Sequence, residues 1–94
     1  MFDDLVKTFM QAAQSGSFSK AAEELFLSPN AVKKRIKCLE QRTGVILFFR
    51  SNKGIALTKA GQFLYADFGI ISKQYEQALE KARRIQHEPV GAIR

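Results

Sequence analysis

Phe2, Leu5, Val6, Phe9, Met10 and Ala13 recur at three- and four-residue spacing, the pattern of an amphipathic helix with one apolar stripe. Ser15 and Gly16 supply its stop. Ser17 or Ser19 can then cap the free N–H groups of a short second helix running through Ala21, Ala22 and Leu25. After Phe26 and Leu27 comes Ser28-Pro29, a serine suited to the N-cap followed by a proline at the first helical position, where its missing N–H costs nothing. A third helix is predicted from Pro29 to about Arg42, ended by Gly44.

From Val45 the periodicity changes. Ile46, Leu47, Phe48 and Phe49 precede the polar run Ser51-Asn52-Lys53-Gly54, and Ile55 and Leu57 follow it. Two short β-rich runs around an Asn and Gly turn predict a hairpin over about 46–57. Thr58 caps a fourth helix that can continue to about Gln86, because no proline intervenes before Pro89. Such a helix would span roughly 40 Å at about 1.5 Å per residue. His87 to Gly91 reads as a hinge, and the chain shows no internal repeat. The predicted fold is mainly α: a winged helix-turn-helix of three helices plus a β-hairpin wing, followed by a long dimerisation helix.

Two short helices joined by a tight turn, over about 18–37, match the helix-turn-helix plan, whose second helix enters the major groove by its N-terminal part. On a helical projection of the third helix, Val32, Ile36 and Leu39 share one face, and Asn30, Lys33, Lys34 and Lys37 fall on the opposite one. The lysines can reach phosphates or guanine acceptors, and Asn30 can pair bidentately with adenine.

Charge strengthens this placement. The net charge is +6, and Lys33, Lys34, Arg35, Lys37, Arg42, Arg50 and Lys53 are opposed between them only by Glu40. A local positive field suits a polyanion such as nucleic acid or an anionic membrane surface. The membrane reading is set aside, because the basic face backs onto core residues and carries no exposed apolar stripe. In the wing, Arg50 at the base and Lys53 near the tip would lie beside the duplex, along phosphates or in a narrow minor groove. Arg50 could instead form only a surface ion pair. The expected DNA-binding set is Ser28, Pro29, Asn30, Lys33, Lys34, Lys37, Arg50 and Lys53.

The fourth helix carries a second pattern. Leu64, Phe68, Ile71, Tyr75, Ala78, Ala82 and Ile85 alternate four- and three-residue spacings, the seam of a coiled-coil-like pairing, with Phe63, Ile70 and Leu79 just off it. The first turns are expected to pack on their own domain and the far end on a second copy. A homodimer would read two inverted half-sites on one face of double-stranded DNA.

With 94 residues and 46% hydrophobic content, the chain suffices for one small domain. Its only cysteine, Cys38, can form no internal disulfide, no signal peptide is evident, and no apolar run approaches the roughly 20 residues that cross a bilayer. A cytoplasmic protein is expected. The single histidine, His87, lies in the hinge, so neither a Ser-His-Asp arrangement nor a histidine-rich metal site can assemble; no enzyme, metal or cofactor is expected. Cys38 among lysines could favour a redox-sensing thiolate, although it also serves as an ordinary small helical residue.

These residues resemble the N-terminal domain of the LysR-type transcriptional regulators. The match runs through Phe9, Gly16-Ser17-Phe18-Ser19-Lys20-Ala21-Ala22, Leu25, Ser28, Ala31-Val32, Ile36 and Leu39-Glu40. It continues through Gly44, Leu47-Phe48, Arg50, Leu57-Thr58 and Ala60-Gly61. The resemblance implies a bacterial regulator with 1–58 as DNA-binding domain, 59–86 as linker and dimerisation helix, and 87–94 as hinge and start of a C-terminal domain that binds a small-molecule effector. Val90 to Arg94 would open that domain's first strand, and the longer protein could form a higher oligomer. The family commonly has Gln at Pro29, Pro at Asn30 and Ser at Lys33, so the departures fall at the reading head. Extra lysine there should raise salt sensitivity. A rival reading keeps the scaffold but docks an acidic protein partner, since fold alone does not fix function.

Overall fold

The computed structural model describes residues 3–88. Phe2, the expected strand at Val90 to Arg94 and most of the expected hinge lie outside them. Helix α1 (Asp4–Ser15) starts where the Asp3 carboxylate accepts the Leu5 and Val6 amides. It ends at Gly16, whose φ of 73° lets its N–H reach the Ala12 carbonyl. Helix α2 (Phe18–Leu25) resolves the choice of cap, since Ser17 accepts the Lys20 amide. Helix α3 (Pro29–Thr43) is capped by Ser28 through the Ala31 amide, has Pro29 in its first turn, and closes at Gly44. It runs one residue past the expected Arg42.

The wing pairs β1 (Phe48–Ser51) with β2 (Gly54–Leu57), antiparallel, with Phe48 opposite Leu57 and Ser51 opposite Gly54. Its ladder begins two residues later than the hairpin predicted from 46. The Leu47 amide is taken by the Glu40 carboxylate at 2.8 Å, and the Ile46 carbonyl accepts the Thr58 hydroxyl at 2.6 Å.

Helices α1, α2 and α3 pack on one another around Phe9, Ala12, Phe18, Ala21, Ala22, Val32, Ile36 and Leu39, with Leu47 and Phe48 closing the core from the wing. The Phe9 ring meets Phe48, Tyr65 and Phe68 edge-on at centroid distances of 5.7, 6.4 and 6.1 Å. One aromatic hub therefore joins α1, the wing and the last element, α4 (Lys59–Gln86), in a geometry favoured by the ring quadrupoles.

Thr58 caps α4 by accepting the Gly61 amide at 2.9 Å. Leu64, Tyr65 and Phe68 pack against the core, after which the helix leaves the domain. Ile71, Tyr75 and Ile85 are 37%, 38% and 52% exposed, and Ala78 and Ala82 are also exposed. Of the seven residues in the four- and three-residue pattern, Leu64 and Phe68 thus lie on the domain and the other five are exposed. Leu79 and Tyr75 additionally line a groove opposite Met10 and Leu25, between the outer half of α4 and the first two helices.

Candidate nucleic-acid interface

The Ser28 cap and Pro29 fix where α3 begins, and burial of Val32, Ile36 and Leu39 fixes its rotation. Together they turn Asn30, Lys33, Lys34 and Lys37 to solvent. These four, with Ser28 and Ala31, line one shallow concavity on the N-terminal half of the helix. The Ser28 hydroxyl oxygen accepts the Ala31 amide, so its acceptor capacity is partly used by the cap.

The seven cations between Lys33 and Lys53 fall into two groups. Arg35 Nη1 donates to the buried Thr8 hydroxyl at 3.4 Å, Arg42 pairs with Asp3 at 3.4 Å, and Arg50 pairs with Glu40 at 3.2 Å. Lys33, Lys34, Lys37 and Lys53 are exposed, and none pairs with a carboxylate among the described residues. The arginines therefore brace the domain, while the lysines carry the outward field. Charge counting alone could not make this division, because Thr8 and Asp3 lie 27 and 39 residues from their partners.

Arg50 pairs with a carboxylate that is itself buried. It sits at the wing base and is the member of an ion pair, with its guanidinium carbon 5.6 Å from the Phe18 ring centroid. A second notch, lined by Ser17, Ser19, Lys33, Arg50 and Ser51 among others, connects the start of α2 with α3 and the wing. Lys33 borders both hollows. Lys53 lies in the wing turn, where its amide is held by the Ser51 hydroxyl at 3.2 Å. Sequence reasoning did not single out Ser19 or Glu40 as site residues; the Ser17-Ser19 cap signal pointed at the first, and nothing pointed at the second.

Cys38 is exposed on α3, and His87 caps the end of α4. Among the described residues no group of three or more His, Cys, Asp or Glu could hold a metal ion, and no helix is long and apolar enough to cross a membrane.

A three-helix core with a hairpin wing and an outward cationic third helix defines a winged helix-turn-helix protein. Residues 4–62 match the profile described as "Bacterial regulatory helix-turn-helix protein, lysR family". The chain belongs to that family. It is 49% identical over 65 residues to the HTH-type transcriptional activator AllS of Salmonella typhimurium, a stretch covering 68% of this chain and 21% of AllS. It is 41% identical over 88 residues to the HTH-type transcriptional regulator YtlI of Bacillus subtilis, covering 94% of this chain and 28% of YtlI. The fold superposes on the crystal structure of the CbnR_DBD-DNA complex with a TM-score of 0.82 at 30% identity, over 89% of this chain and 97% of that one. These relatives bear the names of regulators, in line with the expectation that the chain is no enzyme. The chain spans well under a third of the length of the curated relatives it matches.

Proposed function

We propose that the chain is the DNA-binding head of a LysR-type bacterial transcription regulator, a homodimer that binds double-stranded DNA sequence-specifically. Helix α3 enters the major groove with Ser28, Pro29, Asn30, Lys33, Lys34 and Lys37, and the wing lays Lys53 on the adjacent backbone or minor groove. The observation that carries this reading is the segregation of three unpaired lysines and Asn30 on the exposed face of α3. An exposed cationic face at a helix N-terminus suits phosphate, since the helix dipole favours an anion there. The likeness to a solved protein–DNA complex supports the same reading.

Within the chain, the helix-turn-helix and wing up to residue 58 are the DNA-binding unit, and residues 59–86 are the linker helix that pairs two copies. Ile71, Tyr75, Ala78, Ala82 and Ile85, left open on one copy, supply the seam, with Leu64 and Phe68 shared with the core. The regulator acts in the cytoplasm, where its DNA is. Selection of bound duplexes from a randomised pool tests the function: enrichment of an inverted repeat is expected, and no enrichment over the starting pool would contradict it.

A further inference from the structure

Glu40 lies near the end of α3 and is 6% exposed. A carboxylate so withdrawn from water must find its hydrogen-bond donors inside the protein. It has three. Its Oε2 accepts the Leu47 and Phe48 amides at 2.8 and 3.4 Å, and its Oε1 accepts Arg50 Nη2 at 3.2 Å. All three donors belong to the segment that enters and forms β1. Arg50 in turn stands over the ring of Phe18, the first residue of α2, and that ring meets Phe48 edge-on at 5.4 Å. One carboxylate therefore ties the lysine-bearing helix to the wing and, through Arg50, ties the wing to α2.

We infer that Glu40 is a positioning residue for DNA binding: through Arg50 and the two wing amides it fixes Lys53 relative to the lysines of α3. Arg50 is a strut, not a phosphate ligand. The inference rests on the duplex-binding reading above. A duplex presents phosphates at fixed spacing, so two cationic elements engage it together only if their separation is set beforehand, and preorganisation reduces the ordering cost of binding. Arg50, neutralised by Glu40, also has less counterion to release than an unpaired lysine.

The strut makes a prediction opposite in sign to simple electrostatics. Glu40→Gln removes one negative charge, taking the chain from +6 to +7, and charge alone would tighten binding and steepen its salt dependence. The strut requires binding to weaken, because Lys53 loses its set position.

The test is duplex affinity measured across a salt series for the parent chain, Glu40→Gln, Arg50→Met, Lys53→Ala, and each of the first two variants combined with Lys53→Ala. Circular dichroism at the assay temperature confirms that each is folded. Glu40→Gln, Arg50→Met and Lys53→Ala should each flatten the slope of log affinity against log salt by about one unit, the worth of one phosphate contact. Adding Lys53→Ala to either of the others should flatten it no further. Tighter or steeper binding by Glu40→Gln, unchanged slopes, or losses of Arg50→Met and Lys53→Ala that add to about two units would overturn the inference. Should Glu40→Gln fail to fold, Arg50→Met carries the same comparison, since that side chain is 44% exposed and Glu40 keeps both amides. Failure of the underlying reading is distinguishable: the parent chain itself would then show no salt-dependent duplex affinity, which would overturn both.

Discussion

Gly61, in the first turn of α4, packs against the backbone carbonyl of Leu47 at the foot of the wing. A β-carbon at Gly61 would overlap that carbonyl oxygen and sit 3.0 Å from Leu57 Cδ2. The Leu57 side chain could turn aside, but the Leu47 carbonyl is backbone and has little room to yield. Gly61→Ala should therefore push α4 off the wing and destabilise the domain by about 1–3 kcal/mol, the usual cost of overpacking. Denaturant unfolding checks this, and an unshifted midpoint would contradict it.

Phe26 closes α2 with φ of 59° and is 95% exposed. A bulky side chain in the left-handed region costs roughly 1–2 kcal/mol, and this one recovers nothing by burial. Phe26→Asn should raise stability by about 0.5–1 kcal/mol, since asparagine tolerates that region better. A lowered thermal midpoint would show that Phe26 makes a stabilising contact in solution.

The division between braced arginines and open lysines predicts different salt behaviour. Replacing Lys33 and Lys34 together by Ala should flatten the salt slope of duplex binding by about one unit per lost phosphate contact. Arg42→Ala should leave the slope unchanged, because Arg42 is paired with Asp3 and lies off the lysine face of α3. Equal effects of the two replacements would remove the distinction.

Ile71 lies at the point where α4 leaves its own core. If a second copy covers it, Ile71→Asp places an unpaired charge in the seam, and one unpaired buried charge is enough to separate such a pair. Sedimentation should find the parent chain dimeric and the variant monomeric. A monomeric parent at the same concentration would dispose of the seam.

Much of this architecture is written locally. Ser28-Pro29, Gly44 and Thr58 each satisfy or end a helix through their own backbone or the next turn, so a linear reading finds them. The lysine face of α3 is legible for the same reason, because helical periodicity separates it from Val32, Ile36 and Leu39 without reference to any other element. What could not be read depends on distant partners. The partners of Arg35, Arg42 and Arg50, which are Thr8, Asp3 and Glu40, come from other elements, so a linear reading counts the three arginines as charge without seeing what holds them. Ile46 and Leu47 look like strand until Glu40 and Thr58 take up their backbone groups. Phe26 has nothing in its residue type to announce a left-handed turn, which is usually glycine's or asparagine's.

Protection of guanine N7 from methylation, on a duplex recovered by selection, reads whether α3 of each of two copies occupies a major groove. That atom is an acceptor displayed in the major groove. Two protected clusters related by a two-fold are expected, about 10 base pairs or a multiple of that apart, both lost in the Lys33→Ala/Lys34→Ala chain. Full methylation at every guanine under saturating protein, with the duplex still bound, would contradict that placement of α3.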